Sequence, residues 1–401
     1  MPAAPALAPA PARGGLAAAV LGMVLIASTY GMARFGVGLF APRLVAERPD
    51  LAPVVGWAAA AQFTSYSLAA ALAARLSDVR PRTGVALAGV AASVGCLGVA
   101  TTASAPWLVV SVFVGGTGAG FASPALVRVV DAVTAPERAA GAQSLVNTGT
   151  AVGVVVTGVL ALAVPSVAAA WLLMAAVNAA AAGGVLLLVR HSPGLRAADV
   201  PGSSSSYDWR TLATPAAGAA VVGAGSALVW SFGPLLATRS GPIDGSRVGL
   251  LWIALGVGGL LGPLTGRLVE RCGLRGAWAV SVGAVVGANL ALAAGLALGL
   301  AWATYAAMAG FGAGYMCLSG VLILWAREAW PDAAGRGTSL LFIALAVGQA
   351  AGAAGLGAWE DVAGPVGAAL TAALACAAGV ALVGRAQPET PGVKRHSSVA
   401  R

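Results

Sequence analysis

The sequence predicts an all-α membrane protein: twelve transmembrane helices in two six-helix pseudo-repeats. Composition, the spacing of apolar runs and an internal repeat carry that reading. Of the 401 residues, 59% are hydrophobic and 9% charged, against roughly 25% charged in a soluble domain. So few charges cannot cover a water-facing surface, so lipid is the solvent over most of it. The 56 glycines, with many alanines, suit helices packed in lipid, where small residues let backbones approach. A membrane barrel would alternate in polarity over segments of roughly ten residues, and no such alternation is present.

A spanning helix needs about 20 mostly apolar residues. Residues 1–14 form a Pro/Ala-rich stretch with one late arginine; no polar cleavage region follows the next apolar run, so it reads as a disordered cytoplasmic tail and not a signal peptide. Helix 1 is expected at 15–41, before Pro42 and Arg43, and helix 2 at 53–75, after Pro49 and Asp50. Arg75–Arg82 separates it from helix 3 at 83–103, and Ser104 and Pro106 mark the link to helix 4 at 106–130. Asp131, Glu137 and Arg138 precede helix 5 at 140–163; Pro165 marks the turn to helix 6 at 167–190. Residues 191–211, HSPGLRAADVPGSSSSYDWRT, read as a flexible cytoplasmic linker because of their Pro, Gly and Ser content. Beyond it come helix 7 at 212–237, helix 8 at 247–269, helix 9 at 274–296, helix 10 at 299–326, helix 11 at 336–358 and helix 12 at 363–385, then a C-terminal tail, 386–401. Two bundles result, 15–190 and 212–385.

The net charge of +9 would suggest nucleic acid in a soluble protein. Here 18 of the 23 Lys+Arg fall on the side of the termini, four fall on the other side, and Arg34 lies within helix 1. The positive-inside rule then places both termini in the cytoplasm, and no nucleic-acid partner is expected. The four cysteines are scattered without a CxxC pair, and both histidines lie in polar segments. Neither a metal site nor a disulfide framework is indicated, and no cofactor is expected.

Three segment pairs recur in order. GTGAGF (116–121) matches GFGAGY (310–315), PERAAGAQSL (136–145) matches PDAAGRGTSL (331–340), and RFGVGLFAPR (34–43) resembles SFGPLLATR (231–239). The offsets are nearly constant, which indicates an internal duplication. Two parallel six-helix repeats about a central pathway describe one class of secondary transporter.

The junction after helix 8 reads Gly266-Arg-Leu268-Val-Glu270-Arg271-Cys-Gly273-Leu-Arg275, and the junction after helix 2 reads Ala74-Arg-Leu76-Ser-Asp78-Val-Arg80-Pro-Arg82. Both resemble the G-x-L-x-D-R-x-G-x-R signature of the major facilitator superfamily. The second copy matches at each motif position, with Glu for Asp. The first has Ala74 for Gly, Val79 for Arg and Pro81 for Gly. The resemblance spans roughly residues 15–385 and implies a latch at the cytoplasmic face, in which Asp78, Arg80, Arg82 and Asp131 in one half, and Gly266, Glu270, Arg271, Gly273 and Arg275 in the other, hold the outward-open state. The physics agrees: a glycine admits close helix contact, a carboxylate can accept from a helix N-terminus, and arginines pair with carboxylates. Asp131 is the expected partner of Arg80 or Arg82. Two motifs of proton-coupled drug antiporters in this family are absent: Val112 stands where an Arg would precede Gly116, and Val154 where a Pro would follow Gly153.

No acidic residue falls at the bilayer midplane by these boundaries, so Arg34 is expected without a carboxylate partner. Three readings are open for it: an anchor for the outer end of helix 1, about 10 Å below Ala41 at 1.5 Å per residue; a cavity residue that forks an anion; or a gate paired with Glu47, Asp50 or Glu360. Tyr30 lies one turn before Arg34 on the same face, and Trp230 and Ser231 hold the matching place on helix 7. Tyr315, Gln62, Asn147, Tyr66 and Gln349 complete the inward-facing candidates.

The class expected from these residues is a secondary transporter of the major facilitator type in a bacterial cytoplasmic membrane. The Ala/Gly/Arg-rich usage with a single lysine supports a bacterial source. Its first helix resembles arabinose-efflux-like permeases, so export of a metabolite or drug-like compound is preferred to import or exchange of an organic anion drawn by Arg34. A membrane enzyme would need acidic or histidine clusters at a membrane face, which are missing; a receptor or scaffold would need larger extramembrane parts. The family resemblance implies a monomer.

Overall fold

The computed structural model describes residues 13–190 and 208–385. Among the described residues every regular element is helical. Nine continuous segments are long and apolar enough to cross a membrane. Two of these are double: Gly245–Leu298, of 54 residues, and Ala334–Arg385, of 52. Each is broken at a glycine of positive φ, Gly273 (φ 71°, ψ 173°) and Gly364 (φ 71°, ψ 174°), a backbone conformation nearly restricted to glycine, and the first is also interrupted at 260–264 by a turn and a 3-10 stretch. One further crossing, Val55–Val79, is missed by hydropathy because Gln62, Thr64, Ser65, Tyr66 and Ser67 crowd into it. Exposed Thr64 and buried Ser65 and Ser67 bond back to the carbonyls of Ala60, Gln62 and Phe63, which makes these hydroxyls tolerable in a spanning helix.

The result is twelve crossings: helix 1 Gly15–Glu47, helix 2 Val55–Val79, helix 3 Pro81–Ala100, helix 4 Ala105–Val133, helix 5 Pro136–Ala163, helix 6 Val167–Val189, helix 7 Arg210–Arg239, helix 8 248–272, helix 9 274–298, helix 10 Ala301–Ala329, helix 11 334–363 and helix 12 365–385. An even number puts the described ends, Arg13 and Arg385, on one face, the terminal face; the opposite one is the far face. The repeated segments occupy matching places. GTGAGF and GFGAGY lie within helices 4 and 10, and the 136–145 and 331–340 segments open helices 5 and 11. A Cβ on Gly153 would strike the backbone of Ala27 on helix 1, and one on Gly348 would strike that of Ala220 on helix 7. Helices 1 and 5 thus meet as helices 7 and 11 do.

Several boundaries differ from expectation by a few residues, and three of them bear on the architecture. Helix 1 runs on to Glu47 through Pro42 and Arg43. Arg43 does not end it, because its guanidinium donates to the carbonyls of Ala161 and Val164 at the end of helix 5, where a cation is favoured. The junction between helices 2 and 3 is a single non-helical residue, Arg80 (φ −139°, ψ 66°), with Pro81 opening helix 3 at the position where proline is well tolerated. Helix 7 begins at Arg210, inside the expected linker; residues 191–207 and the tails 1–12 and 386–401 lie outside the described residues.

The far face is closed. A Cβ on Gly38 of helix 1 would collide with the carbonyl of Trp230 on helix 7, and Gly56 of helix 2 lies against the carbonyl of Ala353 on helix 11. Arg48 pairs with Asp50 at 2.8 Å and reaches the carbonyls of Thr102 and Ala103, tying the link before helix 2 to the link before helix 4. On the terminal face, a Cβ at Gly141, Gly266 or Gly335 would meet nothing within 4 Å. Helices 5, 8 and 11 are not pressed against neighbours at these points.

Candidate functional site

Helix 1 departs from α-helical geometry at the site. Residues Ala27–Arg34 form a π-helix inside helix 1, and the amide of Phe35 bonds to Tyr30 five residues back, at 3.1 Å. Ser28 and Thr29 supply a local cause. Both hydroxyls donate to the carbonyl of Leu25, at 3.1 and 2.7 Å, competing with the backbone for that acceptor. Such wide turns are rare and recur at functional sites.

Arg34 ends this stretch and is 4% exposed. From Glu47 it lies 13 residues in, about 20 Å at 1.5 Å per residue, not the 10 Å expected from the shorter helix. An arginine side chain cannot span that distance to the far face, so the outer-anchor geometry does not hold. The guanidinium donates from Nη2 to Gln349 Oε1 on helix 11 at 3.3 Å, while Nε has no partner. Around it stand four rings, with centroids 4.0 Å (Tyr66), 4.8 Å (Phe35), 5.2 Å (Phe63) and 5.5 Å (Tyr30) away. Cation–π attraction offsets part of the cost of burial, but no carboxylate neutralises the charge: among the described residues the recorded ion pair is Arg48–Asp50. The described acidic residues all sit at helix ends or in links.

A hydrogen-bonded and aromatic shell continues from there. Gln349 Nε2 donates to the Tyr315 hydroxyl at 3.0 Å. Tyr30 Oη donates to Tyr66 Oη at 3.3 Å and lies 2.8 Å from Ser123 Oγ. Trp230 stacks on Phe35 at 3.8 Å and 15°, and meets Tyr315, Phe311 and Trp252 edge-on. Its indole N–H is buried without a partner, as is that of Trp252. Helices 1, 2, 4, 7, 8, 10 and 11 therefore converge on one guanidinium.

The structure brings Arg34, Tyr30, Tyr66, Trp230, Tyr315 and Gln349 together. Ser231 and Gln62 are buried with an unpartnered oxygen each, and no hydrogen bond joins them to the cluster. Asn147 does not belong to it. It is exposed on helix 5, one turn from Ala151, which packs on Gly256 and Gly259 of helix 8. Phe35, Phe63, Ser123 and Phe311 went unforeseen. Apolar rings and a lone serine in apolar helices carry no signal in one sequence; a pairing of Phe35 with Trp230 exists only once helices 1 and 7 cross.

At the terminal face Arg82 donates to the Val189 carbonyl of helix 6 at 2.7 Å, and the expected pairing of Asp131 with Arg80 or Arg82 is not formed among the described residues. Glu270, Arg271 and Arg275 are exposed. Gly266 admits no close helix contact here, contrary to expectation, because the ends of its neighbours stand away from it; Gly273 serves instead as the break between helices 8 and 9. The side chain of Asp78 lies outside the described ones.

A polytopic bundle of two six-helix repeats, closed on one face around a buried central cation, has the architecture of a secondary transporter. The sequence pattern of the Major Facilitator Superfamily matches residues 23–353, and the chain belongs to that family. It is similar in fold to a D-xylose-proton symporter (TM-score 0.73, 16% identity, covering 95% of this chain and 99% of that one). A POT family transporter in complex with 5-aminolevulinic acid (TM-score 0.73, 12% identity, 92% and 95%) and the nucleoside transporter NupG (TM-score 0.68, 11% identity, 92% and 97%) share it. No curated protein sequence matches the chain.

Proposed function

We propose that this protein moves a small organic molecule bearing an anionic group across a bacterial cytoplasmic membrane by alternating access, with Arg34 as the anchor for that group. The observation that carries the reading is a buried guanidinium, midway along helix 1, with an unused Nε–H and no carboxylate counter-charge. An intramembrane charge of this kind is costly and usually functional. Tyr30, Tyr315, Trp230 and Gln349 line the same point and supply donors and apolar faces; Ser231, Gln62 and Asn147 are secondary candidates along the pathway.

The bundles 15–190 and 212–385 are the bodies that rock, the termini are cytoplasmic, and the working unit is a monomer. The closed far face and the loose terminal face fit a state open to the cytoplasm, and Asp78, Arg80, Arg82, Asp131, Gly266, Glu270, Arg271, Gly273 and Arg275 are the latch of the opposite state. Export of a metabolite or drug-like compound is the direction we favour, from the resemblance of helix 1. Import or exchange of a small organic anion is the second reading, favoured by the positive charge at the centre. The solved relatives carry chemically unlike cargo and do not choose between these.

The test is a growth-inhibition panel of antibiotics, organic acids and dyes in an efflux-deficient bacterium, comparing the native protein with Arg34→Ala at equal membrane levels. Protection confined to anionic compounds and lost in Arg34→Ala is expected. Protection that survives Arg34→Ala would remove Arg34 from substrate binding, and heightened sensitivity would reverse the direction.

A further inference from the structure

A second site opens sideways to the lipid. Helices 8, 9 and 10 leave a cleft of about 400 Å³ between them. Its wall is apolar over most of its length, with Leu261, Leu264, Leu268, Val280 and Ala313 among the lining residues. Two arginines, Arg267 and Arg271, line its terminal end. They lie one turn apart, on the same face of helix 8. Both are exposed, and neither has a hydrogen-bond or ion-pair partner among the described residues, Glu270 included. Deeper in, Ser281 on helix 9 lines the cleft; it is 2% exposed and its Oγ has no partner. From Arg271 back to Leu261 is ten residues, α-helical to Thr265 and then a 3-10 stretch and turn, on the order of 15 Å.

We propose that this cleft binds an anionic phospholipid of the leaflet on the terminal side, the headgroup phosphate lying between Arg267 and Arg271 and an acyl chain running along Leu268, Leu264 and Leu261. The charge pattern chooses the occupant. A neutral apolar ligand would leave the two unpaired guanidinia unused, whereas a free phosphate would leave the apolar wall unfilled. Juxtamembrane arginines draw anionic headgroups, and the apolar wall offers an acyl chain close packing in place of its contacts with bulk lipid. Ser281 Oγ–H, buried beside the chain's path, is placed to donate to an ester oxygen. The inference does not depend on substrate binding at Arg34, because no central residue takes part in it, although Arg271 also belongs to the latch proposed above.

The experiment uses the purified, delipidated full-length chain and follows thermal unfolding on titration with phosphatidylglycerol, phosphatidylcholine or inorganic phosphate. Phosphatidylglycerol alone should raise the midpoint. The apparent affinity should fall roughly fivefold for each of Arg267→Gln and Arg271→Gln, and be retained in Arg267→Lys, since each removed charge is worth about 1 kcal/mol. Ala313→Trp, which fills the cleft without touching charge, should abolish the effect and serves where an arginine variant misfolds. Equal stabilisation by phosphatidylcholine, an equal response to phosphate alone, or a phosphatidylglycerol effect unchanged in Ala313→Trp would each overturn the assignment.

Discussion

Arg34 on helix 1 and Gln349 on helix 11 are joined by a hydrogen bond of 3.3 Å although 315 positions separate them. The bond crosses between the two halves of the molecule, and through Gln349 it continues to Tyr315 on helix 10. An anion arriving at Arg34 competes with Gln349 Oε1 for the same Nη2–H. On the proposed function, substrate binding and the link between the halves are then one event.

Replacing Gln349 by Glu places a carboxylate where the amide oxygen sits. The buried pair so formed should hold the halves together and occupy Arg34. Loss of anion binding by at least tenfold is expected, since a hydrogen bond to a charged group is worth roughly 1.5–3 kcal/mol, with the melting temperature unchanged or raised. Isothermal titration and thermal unfolding of the same sample check both halves of this expectation.

Arg34→Lys keeps the charge and loses the fork. A bidentate anion should bind it roughly ten- to a hundredfold more weakly, because an ammonium offers one point charge where guanidinium offers two parallel donors. Arg34→Ala should bind no better than Arg34→Lys. Direct binding in detergent separates these, and full affinity in Arg34→Lys would show that charge alone is read.

Binding at the centre should not vary between pH 5 and 8 for a ligand that does not itself titrate there. The polar groups facing Arg34 are the phenols Tyr30, Tyr66 and Tyr315 and the amide of Gln349, with no carboxylate or histidine among the described residues there. A pH titration of affinity checks this, and an inflection near neutrality would reveal a group that the described residues do not supply.

Gly38 is the hinge-pin of the closed far face, because any Cβ there lands on the Trp230 carbonyl. Gly38→Val should cost about 1–3 kcal/mol by overpacking and move the far ends of helices 1 and 7 apart. Spin labels on Glu47→Cys and Arg239→Cys, with Cys272 and Cys317 replaced by Ser, should report a longer distance in Gly38→Val than in its absence.

Two glycines of one motif should behave oppositely. Gly273→Ala forces a non-glycine residue into φ 71° and ψ 173° and should destabilise by about 1–3 kcal/mol. Gly266→Ala meets nothing in this state and should leave stability unchanged or slightly raised, as alanine favours helix by up to about 1 kcal/mol. If Gly266 closes on a neighbour in the opposite state, transport should fall in Gly266→Ala while the melting temperature does not; chemical denaturation beside a transport assay checks this.

The recurring segments pointed to duplicated halves. Composition and the long apolar runs determined the solvent and the helical class, because lipid admits few alternatives to a helix that satisfies its own backbone. Arg34 stood out for the same reason: a lone charge in an apolar run is visible without a partner. Helix ends were less legible. Pro42 and Arg43 read as a terminus, yet the carbonyls that Arg43 caps belong to helix 5, more than a hundred residues away. The depth of Arg34 and its aromatic cage followed from that packing. So did the separation of Asn147 from the Arg34 cluster, which only the rotation of helix 5 against helix 8 could decide. Phe35, Phe63 and Ser123 gain meaning solely from crossings between helices, since van der Waals contact and hydrogen bonding depend on distances in space that the order of residues does not contain.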